Sequence, residues 1–225
     1  MHEGILLVNK PKGPSSFRLV QMLRKRLQIQ KIGHAGTLDP FASGLMVMLI
    51  GRNYTRLSDR FLNHDKEYLA EVRLGQTTDT YDSEGQITAT SDIIPSLEDI
   101  QAALAGFQGE TLQTPPMFSA KKIKGKKLYE LARKGIEVHR EPVKVTLDIQ
   151  LIRYEYPFLE LRVNCSKGTY IRSLAYDLGI KLECGAHLSN LERTRSGNFL
   201  LENAIGEEEI LSPNFELPFL ELKSI

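Results

Sequence analysis

The order of strand-like and helix-like segments is the feature that most constrains the fold of this chain. Two short apolar runs, residues 4–8 and 45–50, have the length and composition of buried strands. Residues 66–75 alternate between apolar and polar side chains, which is typical of a strand with one buried face. Residues 145–153 and 158–164 resemble a pair of neighbouring strands. Helical stripes fall between these segments without strict alternation, so the sequence predicts a mixed α/β (α+β) fold rather than a doubly wound parallel sheet.

Two helices have recognisable starts. Ser15 or Ser16 can cap a helix whose apolar stripe continues to Leu27. Ser96 and Asp99 have the spacing of a capping box, which predicts a second helix after Ser96.

The net charge of +1 conceals an uneven distribution of charge along the 225 residues. Residues 15–31 contain five basic side chains and no acid, and residues 119–144 contain nine Lys or Arg and three Glu. Residues 200–225 contain six Glu and one Lys. Basic segments beside an acidic end suggest a polyanionic partner for part of the surface. By charge alone, solvated helix faces are an equally good interpretation.

Several classes of protein are disfavoured by what the sequence lacks. The run at 45–50 is too short to span a bilayer, and the N-terminus has no cleavable signal. Two cysteines make no disulfide framework, so we expect a soluble protein of the reducing cytoplasm with no membrane partner. There is no phosphate-binding glycine loop, dinucleotide fingerprint, zinc-ligand spacing or nucleophile elbow. We therefore expect neither a metal nor a cofactor.

Asp39 lies in the stretch GHAGTLDPFASG, and no other Asp or Glu occurs within nineteen positions of it. Because proline follows, Asp39 avoids helical backbone itself, which suits a turn or a helix N-cap. Gly33, Gly36 and Gly44 allow a ligand to approach the backbone closely. The local pattern favours a turn or cap and leaves a chemical role open.

Five segments occur in the same order as the motifs of a known family. The whole set resembles the tRNA pseudouridine synthases of the TruB type and covers roughly residues 4–195. The segments are GILLVNKPKGPSS, GHAGTLDPFASG, DKEYLAEVRLGQTTDTYDSEG, QTPPMFSAKKIKGKKLYELARKGIEV and VNCSKGTYIRSLAYDLG. The resemblance implies the pseudouridine synthase fold, with a mixed, mainly antiparallel central sheet flanked by helices and loops. It also implies that the enzyme flips uridine 55 out of the T-loop of tRNA and isomerises it.

The chemistry of that isomerisation suits a single carboxylate. The N1–C1′ bond breaks, the base turns and C5 joins C1′, so nothing is oxidised and no group is donated. One carboxylate can serve as nucleophile or base, whereas a glycoside hydrolase usually needs a second one as proton donor. Whether Asp39 attacks the sugar, attacks the base or removes a sugar proton is open.

The resemblance assigns roles to the residues of the site. Asp39 is the nucleophile, Arg172 lies beside it and keeps it ionised, and Tyr68 stacks on the flipped base. Tyr170 belongs to the substrate pocket, and Leu191 is its apolar wall. Without the resemblance, Tyr68 is read more simply as a core tyrosine and Arg172 as an exposed charge in the first turn of a helix.

Further residues are expected to contact the RNA. His34 helps to extrude or hold the nucleotide, and Lys10 supports the site or contacts phosphate; a loop histidine and a surface lysine are the simpler readings. The insertion at about 113–143 is expected to be mobile and to fold over the T-arm stem-loop. The lysines expected to grip the RNA backbone are Lys121, Lys122, Lys124, Lys126 and Lys127.

The predicted domain organisation is a catalytic domain at residues 1–200 that contains the basic insertion. Residues 201–225 are expected to be a short, acidic, loosely packed tail, with no separate C-terminal RNA-binding domain. Glu192 also departs from the basic residue often found there in the family. We expect a monomer whose partner is tRNA. Two alternatives are an RNA-binding or RNA-folding protein whose activity is dispensable, and a synthase of the same fold acting on another RNA.

Overall fold

The computed structural model describes residues 3–119, 121–123 and 125–222. The chain forms two compact units, one made of Met1–Leu69 with Leu191–Ile225 and the other of Ala70–Asn190. The predicted boundary at residue 200 falls inside the first unit. Among the described residues, no helix combines the length and apolar character needed to cross a membrane.

The strands of the described chain are β1 (Gly4–Lys10), β2 (Ile32–His34), β3 (Ser43–Ile50), β4 (Lys66–Leu74), β5 (Gln76–Thr78), β6 (Ile87–Thr90), β7 (Gly109–Gln113), β8 (Lys122–Ile123), β9 (Lys126–Lys127), β10 (Val143–Glu155), β11 (Phe158–Cys165), β12 (Ala186–Ser196) and β13 (Phe199–Leu200). The helices are α1 (Ser16–Leu27), α2 (Arg52–Thr55), α3 (Ser58–Leu62), α4 (Leu97–Ala105), α5 (Leu128–Ala132), α6 (Ile171–Lys181) and α7 (Glu207–Leu211), with a 3₁₀ turn at Leu201–Asn203.

In the first unit, β1 and β2 both pair antiparallel with β3. A short parallel contact joins β12 to β3, where Arg193 is the cross-strand partner of Gly44. The two apolar runs are confirmed as strands β1 and β3, and nearly all of their side chains are buried. Their inward residues pack with helix α3 and strand β13 in one core cluster, which includes Leu45, Phe61 and Phe199. The turn that carries Asp39 leads directly into this rigid strand pair.

In the second unit, β10 pairs antiparallel with β7 on one side and with β11 on the other. Strand β4, which both units share, has the predicted alternation of buried and half-buried residues. Helix α4 begins with the predicted capping box between Ser96 and Asp99. The mixed α/β fold with a mainly antiparallel sheet is therefore confirmed.

The expectation of a loosely packed tail is wrong. The backbone of Leu220 exchanges hydrogen bonds with Ile5 in β1, at 2.8 and 2.9 Å. The Ile205 amide donates to Leu7 and its carbonyl accepts from Asn9. Three apolar residues spaced among the acids, Ile205, Ile210 and Leu217, are buried, although none of the acids is.

Candidate active site

Asp39 lies in the connection between β2 and β3 and is half-buried. The amide of Ala42 donates to the carbonyl of Asp39 at 3.2 Å, which closes a β-turn with Pro40 at its second position. The interpretation of Asp39 as a turn residue is thus confirmed. Its interpretation as a helix cap is wrong, because the turn is followed by strand β3, which begins at Ser43, and not by a helix. The fixed φ of proline suits this position and restricts the backbone that presents the carboxylate.

Ser16 fixes the residue before Asp39. Its buried hydroxyl donates to the carbonyl of Leu38 at 2.8 Å and accepts from the Leu38 amide at 2.9 Å. Ser15 occupies the N-cap position of α1, but no side chain caps that helix. The expected cap is therefore confirmed in its position, at Ser15, but no side-chain hydrogen bond accompanies it, and Ser16 uses its hydroxyl on the Asp39 connection instead.

Lys10 fixes the residues after Asp39. Its Nζ donates to the carbonyls of Pro40 at 3.2 Å, Ala42 at 2.5 Å and Pro11 at 3.0 Å. The side chain has no exposed surface, so the reading as a surface lysine is wrong. These contacts support the expectation that Lys10 supports the site rather than the alternative that it contacts phosphate.

Arg193, which was not predicted from the sequence, also binds this connection. It is 1% exposed, and its Nε donates to the carbonyl of Leu45 at 2.7 Å. Its Nη2 lies 3.3 Å from the carbonyl of Gly36 and 3.2 Å from the sulfur of Met46. The signal that could have revealed it is an arginine two positions after Leu191 in a strand, where alternation turns both side chains to the same face.

Three more predicted residues belong to the first unit. His34 ends β2 and is half-buried; burial, and then the charge of Arg193, lowers the pKa of its ring below the ordinary value. The ring is therefore neutral at neutral pH. Tyr68 in β4 and Leu191 in β12 are both buried, at 9% and 5% exposure. Burial of this degree agrees with a place in the hydrophobic core for either residue, and also with a place in the apolar wall of a pocket.

Arg172 and Tyr170 lie in the second unit, at the start of helix α6. Arg172 is 4% exposed, so its reading as an exposed helix charge is wrong. Its Nη1 lies 3.3 Å from the carboxylate of Asp82, which was not predicted as a site residue. The same nitrogen donates to the carbonyl of Thr80 at 3.0 Å, and Nη2 donates to that of Phe118 at 2.7 Å. The predicted action of Arg172 on Asp39 stays a prediction.

Tyr170 is held by a second residue that was not predicted, Gln113 at the end of β7. The Tyr170 amide donates to Oε1 of Gln113 at 2.7 Å, and Nε2 of Gln113 donates back to the Tyr170 carbonyl at 3.0 Å. Gln113 is 2% exposed. The Gln113 side chain therefore fixes the backbone from which helix α6, and with it Arg172, begins.

The basic insertion starts and ends at neighbouring positions, because Gln113 and Val143 are cross-strand partners. Within it, β8 and β9 form a small hairpin in which Lys122 pairs with Lys127 and Ile123 with Lys126. Lys126 is exposed and Lys121 is half-buried. The Nζ of Lys127 lies 3.3 Å from the hydroxyl of Tyr129. Lys124 and the side chain of Lys122 lie outside the described part of the structure.

Solved structures with a similar fold indicate the class of protein. A chain in the "Crystal Structure of a Cbf5-Nop10-Gar1 Complex" superposes with a TM-score of 0.72 at 31% identity, covering 92% of this chain and 53% of that one. This chain thus spans about half of that solved chain. The "Crystal structure of pseudouridylate synthase" has the same fold at a TM-score of 0.52, 18% identity, and 99% and 72% coverage. The fold is that of a pseudouridine synthase.

Sequence comparison identifies the family. Residues 24–171 match the model of the TruB family pseudouridylate synthase (N terminal domain), and residues 172–213 match that of the tRNA pseudouridylate synthase B C-terminal domain. A protein of Protochlamydia amoebophila (strain UWE25) called tRNA pseudouridine synthase B is 67% identical over 92% of this chain and 79% of its own. A Chlamydia pneumoniae protein with that name is 54% identical over 98% and 94%. The chain belongs to the TruB family, whose members isomerise uridine to pseudouridine.

Proposed function

We propose that this enzyme isomerises uridine 55 in the T-loop of tRNA, with Asp39 as the nucleophile and without a cofactor. The observation that carries the proposal is the construction around Asp39. Its backbone turn is closed by its own hydrogen bond and held on both sides by buried side chains, Ser16 and Lys10. A backbone held this firmly fixes the point from which the carboxylate of Asp39 projects, which suits attack on one atom of a bound nucleotide, since catalysis requires a fixed geometry.

The other predicted residues have complementary roles in the proposal. Tyr68 stacks on the flipped uracil and replaces the stacking that the base loses when it leaves the loop. Tyr170 and Leu191 line the pocket, and His34, neutral at neutral pH, helps to hold the nucleotide out of the T-loop. Arg172 favours the ionised form of Asp39. Asp82, at 3.3 Å, and the carbonyls of Thr80 and Phe118 fix the guanidinium of Arg172 within its own unit.

Recognition of the T-arm is assigned to the basic insertion. Exposed lysines such as Lys126 attract the phosphate backbone without reading its sequence, which makes binding sensitive to salt. Names shared with relatives at 67% and 54% identity support tRNA as the substrate. We further propose that the enzyme acts as a monomer in the cytoplasm.

The test is to incubate the protein with unmodified tRNA and to map pseudouridine at each position. The wild type is expected to place it at position 55, and Asp39→Asn is expected to bind the tRNA without forming product. Asp59→Asn is the matched control, because Asp59 is an exposed aspartate in helix α3 of the same unit. Full turnover by Asp39→Asn would show that Asp39 is not the nucleophile.

Two substrates, the same tRNA and total cellular RNA, separate the proposal from its two alternatives. If the wild type refolds tRNA but leaves every uridine unmodified, the protein is an RNA-folding factor. If pseudouridine forms only in other cellular RNAs, the class of reaction stands and the assignment to tRNA falls.

A further inference from the structure

One arginine binds both the start of the connection between β2 and β3 and the strand β3 that follows it. Gly36, whose carbonyl is 3.3 Å from Nη2 of Arg193, precedes Asp39 by three positions. Leu45, whose carbonyl accepts from Nε at 2.7 Å, follows it by six. The planar guanidinium has a rigid fork of donors, so it fixes the separation of the two carbonyls. Arg193 therefore closes the base of the loop from which Asp39 projects.

Two glycines make room for this arginine. Gly44 has φ of +104°, and a Cβ there would lie 2.4 Å from the carbonyl oxygen of Arg193. A Cβ on Gly36, with φ of +102°, would lie 3.3 Å from the guanidinium. The glycines on each side of Asp39 therefore serve the packing of Arg193 inside the protein as well as any approach of a ligand.

A gain in stability does not by itself explain why a charged side chain, Arg193, is buried at this position. Removing an ion from water costs several kcal/mol, and apolar side chains that replace buried charges are often neutral or stabilising. Methionine has a similar length and would fill the same space beside Met46, which already contacts Arg193. What methionine would not supply is the pair of hydrogen bonds to Gly36 and Leu45.

We propose that Arg193 and Ser16 are positioning residues of the reaction, which hold Asp39 at the angle and depth that attack requires. Arg193 sets the base of the loop, and Ser16 clamps both backbone groups of Leu38, next to Asp39. The inference rests on the proposed role of Asp39 as the nucleophile. Both side chains are buried, at 3% exposure for Ser16 and 1% for Arg193, so RNA affinity is not expected to depend on them.

The test is single-turnover kinetics with saturating enzyme, because that rate constant does not depend on the fraction of inactive protein. We expect Arg193→Met and Ser16→Ala to slow the chemical step by roughly 10- to 100-fold, the effect expected of a misplacement of up to about 1 Å. The dissociation constant for RNA is expected to stay within about twofold of the wild-type value. Arg193→Lys, which keeps the charge and loses the fork, is expected to be slowed by an intermediate factor.

Arg26→Met is the matched control. Arg26 lies in the same unit and also donates to backbone carbonyls, those of Ser212 at 3.1 Å, Pro213 at 2.9 Å and Phe215 at 3.4 Å. Its partners are distant in sequence from the Asp39 loop, so its loss is expected to lower the melting temperature without changing the single-turnover rate. A purely structural role for Arg193 predicts the same behaviour for Arg193→Met.

The outcomes separate this inference from the proposed function. If Asp39→Asn is inactive while Ser16→Ala and Arg193→Lys react at the wild-type rate, the positioning role is refuted and the role of Asp39 stands. If Asp39→Asn itself reacts at the wild-type rate, the proposed role of Asp39 as the nucleophile is refuted, and the positioning role that rests on it is refuted as well. Should Arg193→Met not fold, Ser16→Ala, which removes one oxygen atom, and Arg193→Lys decide the result.

Discussion

Replacing Gly44 by alanine tests whether β12 approaches β3 as closely as the structure requires. The new Cβ would meet two backbone atoms of Arg193, the oxygen at 2.4 Å and the nitrogen at 2.6 Å. Both distances are far below van der Waals contact, and a backbone atom in a paired strand cannot move aside as a flexible side chain can. The strands must separate at the point where Gly44 and Arg193 pair.

Two contributions make up the expected loss of stability. A side chain at φ of +104° strains the backbone by about 1–3 kcal/mol. Forcing extra volume into a filled site costs about 1–3 kcal/mol more. The sum, about 2–6 kcal/mol, is a large share of the roughly 5–15 kcal/mol by which domains are stable.

Gly13→Ala separates the two contributions. Gly13 has nearly the same backbone angle, φ of +101°, but nothing lies within 4 Å of the position its Cβ would take. Both substitutions restrict the unfolded chain equally, so Gly13→Ala reports the backbone strain together with that shared effect, and the difference between the two variants reports the close contact. Urea unfolding gives the free energy of unfolding of each variant. If Gly44→Ala loses no more stability than Gly13→Ala, the close approach of β12 to β3 is refuted.

Three further predictions concern the second unit. Burial raises the pKa of Asp177 to about 6 from an ordinary 3.8. Between these two pH values the folded state keeps a proton that the unfolded state releases, so the wild type loses stability as the pH rises from about 4 to about 6. Asp177→Asn should therefore gain more in melting temperature over the wild type at about pH 7.5 than at about pH 4; equal gains would contradict the shift. Lys126→Gln should weaken RNA binding and reduce by about one the slope of the logarithm of the binding constant against the logarithm of the salt concentration. Lys144→Gln is the control and should have less effect, because Lys144 is already paired with Glu110. Equal slopes for the two variants would exclude Lys126 from the RNA contact. Gln113→Leu should lower the free energy of unfolding by about 1–3 kcal/mol, as measured in urea, because the Tyr170 amide loses Oε1 of Gln113 as its acceptor, while the Tyr170 carbonyl still accepts from the Leu174 amide at 3.2 Å. An unchanged unfolding midpoint would refute a stabilising role of Gln113.

Local patterns were enough to predict many elements of the fold. The alternation in β4 and the apolar runs of β1 and β3 report burial directly, because successive strand residues face opposite sides. The capping box of α4 involves residues three positions apart, so it too is visible in the sequence. The turn at Asp39 followed from the restriction that proline imposes on the residue before it.

The packing of the acidic end of the chain does not follow from its charge. Residues 201–222 contain enough acids to suggest a solvated tail, yet Ile205 and Leu220 pair with β1. A carboxylate at the surface does not prevent its apolar neighbours from being buried. Composition averages over both kinds of side chain, whereas packing acts on each one separately.

The sequence by itself determined strands β1, β3 and β4, the isolation of Asp39 and the family to which its motifs belong. Only the tertiary structure decided what holds the site together. Ser16 binds a residue 22 positions away, Gln113 one 57 positions away and Arg193 one 148 positions away. Such hydrogen bonds leave no periodic pattern, because their partners meet only after the strands have paired. The sequence alone does not distinguish a buried arginine from an exposed one. The strands that pack against an arginine decide whether it is buried.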